Sequence, residues 1–123
     1  MGKRKILIVD DEIDIVETLT FMLKSRGFEV ITAYDGGEGL AKAKSEHPDI
    51  ILLDITIPVM DGINVCAKLK ASKDTMKIPV IIFSAKGESE SVTSAKRVGA
   101  NDYIVKPFNL PALLTKLNKF LAK

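Results

Sequence analysis

The sequence predicts an α/β protein, an open, doubly wound sheet of five parallel strands built as (βα)5. Two observations carry this. Short β-type apolar runs recur at 5–9, 28–33, 49–53, 80–83 and 102–105, and segments with helical spacing separate them. The runs are also continuous, as in Ile-Ile-Leu-Leu at 50–53, which suits strands covered by helices on both faces. After the first strand, Ile13, Val16, Leu19 and Leu23 make a helical stripe that Gly27 stops. After the second, Asp35 and Glu38 form a capping-box pattern that opens a helix through Leu40, Ala41 and Ala43. The third strand leads into a helix from 62 to about 72, with Ile63, Cys66, Ala67 and Leu69 inward. The fourth helix, 88 to about 98, offers only Val92, Ala95 and Val98 as an apolar side, so marginal packing and mobility are expected. The last has Asn109 as cap, Pro111 in its first turn and an apolar face of Leu110, Leu113, Leu114, Leu117, Phe120 and Leu121. The crossovers are expected to be right-handed.

Composition narrows the functions. A chain of 123 residues and 13.4 kDa fits one domain, residues 1–123, around a single core. It contains no repeat, linker or low-complexity tract, and the final helix runs to Lys123, which leaves no room for an output domain in this sequence; a piece excised from a larger regulator is the alternative expectation. Lys and Arg number 18 against 16 Asp and Glu, a formal charge of +2, which predicts no general attraction to nucleic acid or to an anionic membrane. No apolar run approaches the roughly 20 residues of a membrane helix. The basic start is followed by a short apolar stretch and then by Asp10-Asp11-Glu12, a pattern unlike a secretory leader, so none is expected in it. Ile6 stands where N-myristoylation expects Ser or Thr, and a cytoplasmic location follows as the expectation. Cys66 is the lone cysteine and reads as a small core residue, excluding an internal disulfide or a cysteine metal cluster. His47, also alone, precedes Pro48 in a helix-to-strand turn and reads as solvated. Two-histidine metal sites and histidine triads are therefore excluded. Lys70, Lys73 and Lys77 read as a solvated basic region.

In open α/β sheets ligands bind beyond the carboxyl ends of the strands. Here the first strand ends in Asp10-Asp11, the third in Asp54, the fourth in Ser84 and the fifth in Lys106. Taken singly, Asp11 could be a helix cap, Asp54 a turn residue and Lys106 a solvated end. Their coincidence on one rim points to a site. Three carboxylates placed together repel unless a cation compensates. An all-oxygen set suits a hard ion such as Mg2+, held by one or two carboxylates, a carbonyl and waters. A carboxylate beside Mg2+ and a lysine is a nucleophile suited to phosphoryl transfer, with the Ser84 hydroxyl able to donate to the arriving group.

The motifs Val-Asp-Asp at 9–11, Leu-Leu-Asp-Ile-Thr-Ile-Pro-Val-Met-Asp-Gly at 52–62, Phe-Ser-Ala at 83–85 and Tyr-Ile-Val-Lys-Pro-Phe at 103–108 resemble those of two-component response-regulator receiver domains. The resemblance spans essentially the whole chain, in order, and is that of a stand-alone, chemotaxis-regulator-like receiver. It implies a flavodoxin-like sheet of strand order 2-1-3-4-5. It implies that Asp54 accepts a phosphoryl group from a phosphohistidine on a sensor histidine kinase or histidine phosphotransfer protein. Asp11 and Asp54 would ligate Mg2+ (or Mn2+) directly, Asp10 through a water, and the backbone carbonyl of Thr56 would complete the set. Lys106 would pair with the carboxylate and then with phosphoryl oxygens, and the Lys106–Pro107 peptide is expected to be cis. By the same resemblance Ser84 moves toward the phosphoryl group and Tyr103 turns inward, switching the surface of the fourth helix, fifth strand and fifth helix. The bland reading of Tyr103 is a strand-edge aromatic with its hydroxyl in water. The outward face of the first helix, around Asp14 and Thr18, would dock the kinase.

Departures are small. Ser84 replaces the commoner threonine and loses a methyl that restricts its rotamer. Thr56 and Lys86 occupy positions that vary in the family and tune phosphoryl lifetime, with Lys86 expected to affect the approach of water. Pro58 and Gly62 are expected to shape the loop, Gly62 by permitting a backbone conformation that a side chain opposes. Met60 and Asp61 look catalytic only by proximity. The expected function is a signalling switch that catalyses its own phosphotransfer and autodephosphorylation and is not an enzyme toward other substrates. It is expected as a monomer, with phosphorylation-dependent dimerisation as the alternative, and its downstream target is open. Competing readings are a small Mg2+-dependent aspartyl-phosphate phosphatase and a phosphorylation-independent interaction module. The phosphatase lacks a second acid two residues beyond Asp54, where Thr56 stands. A flavodoxin-like electron carrier would need its flavin phosphate beside Asp10, Asp11, Glu12 and Asp14, which repel anions.

Overall fold

The computed structural model describes residues 3–55, 61–84, 89–106 and 109–121, with the side chains of 84 and 89–91 outside it. Strands β1 (Lys5–Val9), β2 (Glu29–Ala33), β3 (Ile50–Asp54), β4 (Val80–Ser84) and β5 (Asp102–Val105) alternate with helices α1 (Ile13–Lys24), α2 (Gly36–Glu46), α3 (Gly62–Ala71), α4 (Ser89–Arg97) and α5 (Leu110–Leu121). The strands form one parallel sheet in the order β2-β1-β3-β4-β5. Because strand side chains alternate between faces, each continuous apolar run supplies two layers at once. Ile6, Ile8, Ile50, Leu52, Ile81 and Phe83 pack against Val16, Leu19 and Leu23 of α1 and Leu113, Leu117 and Leu121 of α5. Leu7, Val9, Ile51, Leu53, Val80 and Ile82 face Ala43 of α2, Val65, Cys66 and Leu69 of α3 and Ala95 of α4. No helix among the described residues is long and apolar enough to cross a membrane.

The differences from the sequence expectation have local causes. Phe28 stays outside β2 because its N–H closes the end of α1 onto the Leu23 carbonyl (3.2 Å), after Gly27 at φ +92°. Asp49 precedes β3, and its carboxylate accepts from the Lys5 N–H at 2.7 Å. Ile13, expected in the inward stripe, is the first residue of α1 and is 59% exposed, the buried line of that helix being Val16, Leu19 and Leu23. On α2 the buried line is Gly36, Gly39 and Ala43. Those glycines let α2 lie close to β1: a Cβ on Gly39 would stand 2.9 Å from both Val9 methyls. Val65, absent from the expected inward set, is fully buried on α3.

Lys70 is not part of a solvated basic region. Its Nζ donates to the carbonyls of Met76 (3.3 Å) and Ile78 (2.8 Å) and to Asn101 Oδ1 (2.9 Å), which also accepts from the Val80 N–H. The side chain thereby ties the end of α3, the turn before β4 and the entry to β5. Burial pushes its ammonium below the usual lysine range, with the nearby Cys66 opposing. Lys73 and Lys77 are exposed.

Candidate functional site

β1 lies between β2 and β3, so the residue leaving its carboxyl end is covered from both sides. Asp10 extends the ladder, its N–H donating to the Ala33 carbonyl at 3.0 Å, and it is fully buried. Asp54 closes β3 in register with Phe83 and is 5% exposed. In the observed order the connections from β1 and β3 depart toward opposite faces, which opens a crevice between these two strand ends. Lys106 arrives from β5. Its Nζ passes over the buried Phe83 ring, 4.7 Å from the centroid, an approach that favours a cation.

The Lys106 ammonium donates to Asp10 Oδ2 at 2.9 Å, to Glu12 Oε1 at 3.3 Å and to Asp54 Oδ2 at 3.5 Å. Burial is the largest single influence on it and disfavours the charge. The Asp10 hydrogen bond, the charges of Asp54 and Asp10 and the Glu12 hydrogen bond together outweigh burial and hold Lys106 above the usual lysine range. Oxygens of Asp10, Glu12 and Asp54 lie within 4.8 Å of one another. Three carboxylates against one ammonium leave an excess of negative charge in a poorly solvated crevice, which favours a hard cation with oxygen ligands. Imidazole and thiolate are remote from this chemistry. His47 is exposed at the left-handed end of α2 (φ 50°), and Cys66 is buried with its Sγ 3.8 Å from the Val98 carbonyl.

Of the residues singled out in the sequence, the fold brings Asp10, Asp54 and Lys106 together. Asp11 is exposed on the loop after β1 and does not join the carboxylate group within 4.8 Å, where Glu12 stands instead. Glu12 was legible only as the third acid of Asp10-Asp11-Glu12. Its N–H donates to Asp10 Oδ1 at 3.0 Å, which turns this part of the loop into the site. Ser84 ends β4 in register with Val105, with its hydroxyl outside the described atoms, and Thr56, Pro58, Met60, Lys86 and Pro107 lie outside the described residues. Tyr103 is half-buried against the α2–α4 layer and, with Val92, Ala95 and Lys96, lines a cavity of about 320 Å³ between α4 and β5. Asp14 and Thr18 are exposed on α1.

Asp61 has a structural role as the cap of α3, accepting from the Asn64 N–H and Nδ2, each at 3.0 Å. Gly62 is needed for a reason other than the one expected. It is helical, and a Cβ there would collide with the Asp54 carbonyl oxygen and come within 2.7 Å of Ile55 Cα. Close approach, not backbone freedom, excludes a side chain directly behind the end of β3.

The strand order, the two helical layers and the acid–lysine crevice at the switch point place the molecule in the flavodoxin-like α/β class. The chain belongs to the response regulator receiver domain family, whose model matches residues 6–118. It is 44% identical over 106 residues to the alkaline phosphatase synthesis transcriptional regulatory protein PhoP of Bacillus subtilis, covering 86% of this chain and 43% of that protein. It is 40% identical over 118 residues to protein PilH of Pseudomonas aeruginosa, covering 96% of this chain and 98% of PilH. The chain thus spans about half the length of the transcriptional regulators it matches. Among solved structures, the receiver domain of the sensor histidine kinase PA1611 from Pseudomonas aeruginosa superposes with a TM-score of 0.92 at 27% identity, covering 99% of this chain and all of that one. That structure carries a magnesium ion coordinated in its active site cleft. The chain is therefore a receiver domain of two-component signalling, a class that takes phosphoryl groups from histidine kinases and binds a divalent metal.

Proposed function

We propose that this receiver uses Asp54 as its phosphoacceptor. A carboxylate oxygen of Asp54 forms a bond to phosphorus, the P–N bond of a phosphohistidine breaks, and the imidazole leaves with its electron pair and takes a proton from solvent. The observation that carries this reading is the nearly buried Asp54 carboxylate beside Asp10 and Glu12, with Lys106 at 3.5 Å. Mg2+, or Mn2+ in its place, would supply charge neutralisation on the transferring oxygens when bound. Asp10, Asp11, Asp54 and the Thr56 carbonyl are its ligands by family resemblance, and the all-oxygen donor set of Asp10 and Asp54 fits such an ion. Lys106 remains protonated and is placed to follow the charge from the carboxylate to phosphoryl oxygens. Ser84 and Tyr103 form the switch pair, the half-buried Tyr103 being able to move into the space beside α4. Thr56 and Lys86 tune hydrolysis of the acyl phosphate.

In this reading the chain works as one cytoplasmic receiver unit, monomeric before phosphorylation, and turns over no external substrate. The donor is a sensor histidine kinase or a histidine phosphotransfer protein. The output is read by a protein partner at the surface of α4, β5 and α5. The test is intact mass after incubation with a small acyl-phosphate donor, with and without Mg2+, beside Asp54→Asn. A single labile phosphoryl adduct is expected in the wild type with Mg2+ and in neither control. A folded wild type without the adduct refutes the assignment.

A further inference from the structure

The loop after β1 carries three consecutive acids, and the third departs from its local role. Glu12 occupies the N-cap position of α1 with extended backbone (φ −84°, ψ 99°) and makes no side-chain cap hydrogen bond. Side chains chosen for capping are short enough to return to a free N–H of the first turn, and Glu is not among them. Helix stability therefore does not explain this side chain. Its carboxylate meets Lys106 Nζ at 3.3 Å, nearer than Asp54 at 3.5 Å, while its own N–H is pinned to Asp10 Oδ1 at 3.0 Å. An ammonium has three N–H donors, and Lys106 faces three carboxylates. Every donor drawn by the loop acids is one that does not tighten on Asp54. Lys106 and a divalent cation compete for the same oxygens, because both are attracted to the negative charge of Asp54 and Asp10.

We infer that Glu12 is a positioning residue of this site: it draws Lys106 toward the loop, keeps the ammonium from closing on Asp54, and so lowers the competition that a divalent cation meets there. The inference rests on the cation site proposed above. Glu12 also attracts a cation directly, so its removal acts by two routes, and only one of them runs through Lys106. A double-mutant cycle separates the routes.

Mg2+ binding is measured by calorimetry, with Mn2+ followed by electron paramagnetic resonance as a second probe, in wild type, Glu12→Gln, Lys106→Met and the double variant. Glu12→Gln is expected to weaken Mg2+ binding about ten-fold in the native background and only about two-fold beside Lys106→Met, the residue of simple charge loss. Glu17→Gln, at an exposed acid on α1, is expected to change binding less than about two-fold. With acyl phosphate, Glu12→Gln should raise the half-saturating Mg2+ concentration and leave the rate at saturation unchanged. Equal factors in the two Lys106 backgrounds, no effect of Glu12→Gln, or the same effect from Glu17→Gln overturns the inference, as does a rate that saturating Mg2+ does not restore. Glu12 is 59% exposed, so loss of fold is not expected, and Glu12→Ala replaces Glu12→Gln if the latter does not fold. A wild type that binds Mg2+ while Glu12→Gln binds it equally well defeats this inference alone. A wild type that binds no Mg2+ removes the cation site and this inference with it.

Discussion

Cys66 and Asp10 are both fully buried, and their surroundings give them opposite chemistry. Cys66 has apolar neighbours from α3 and the sheet, and burial pushes its thiol up to about 11, with Lys70 opposing weakly. A rise from 9.0 by that amount cuts the thiolate fraction at neutral pH by about 100-fold. Alkylation of Cys66 by iodoacetamide at pH 8 should therefore run at least ~100-fold slower in the native protein than in denaturant, by rates of mass increase. Because the folded value is raised, the contribution to stability is fully present below pH 9.0 and is lost as pH rises toward 11. Asp10, by contrast, has its buried side-chain oxygens met by the Glu12 N–H and the Lys106 ammonium, so its polar atoms are partnered. Gly62 makes the same point about surroundings, since its lack of a side chain is required by the backbone of Asp54 and Ile55 and by no feature of its own conformation.

At the scale of elements, α2 shows how a short sequence signal becomes geometry. Asp35 Oδ1 accepts from the Glu38 N–H at 2.7 Å, and Glu38 Oε1 accepts from the Tyr34 N–H at 2.7 Å, one residue before the cap. Asp35→Ala should cost about 1 kcal/mol in urea unfolding, with the slope unchanged. The Tyr34 hydrogen bond is the main cause that holds Glu38 below the usual carboxylate range; burial opposes it and Lys42 assists. A depressed folded value means this contribution is present above the ordinary 4.5 and is lost as pH falls through the lowered one. The stability difference between wild type and Glu38→Gln should therefore be constant at neutral pH and shrink below pH 4.5. Among the described side chains of α4, Ala95 is buried and Val92 half-buried, with Val98 half-buried just beyond its end. Val92 and Ala95 line a cavity beside Tyr103.

For the molecule as a whole, the crevice trades stability for function: carboxylates from β3 and from the loop after β1 are held within 4.8 Å, where they repel. A cation that binds only the folded state should relieve this. Mg2+ at ten times its dissociation constant should add about 1.4 kcal/mol, raising the melting temperature by a few degrees by calorimetry, and EDTA should reverse it. An unchanged transition would contradict the cation site. The five strands, five helices, the Asp35 and Asn109 caps and the rim position of Asp10, Asp54 and Lys106 were legible in the sequence, because each depends on neighbours along the chain or on the strand-end rule for this fold class. The order 2-1-3-4-5 was legible only through family resemblance, since periodicity does not say which strands pair. Tertiary structure alone decided which acid of Asp10-Asp11-Glu12 turns inward, that Lys70 is a tie rather than a solvated charge, and why Gly62 has no side chain. These are distances between different elements, across 96 positions from Asp10 to Lys106 and across 8 from Lys70 to Ile78, and only packing the two layers against the sheet sets them.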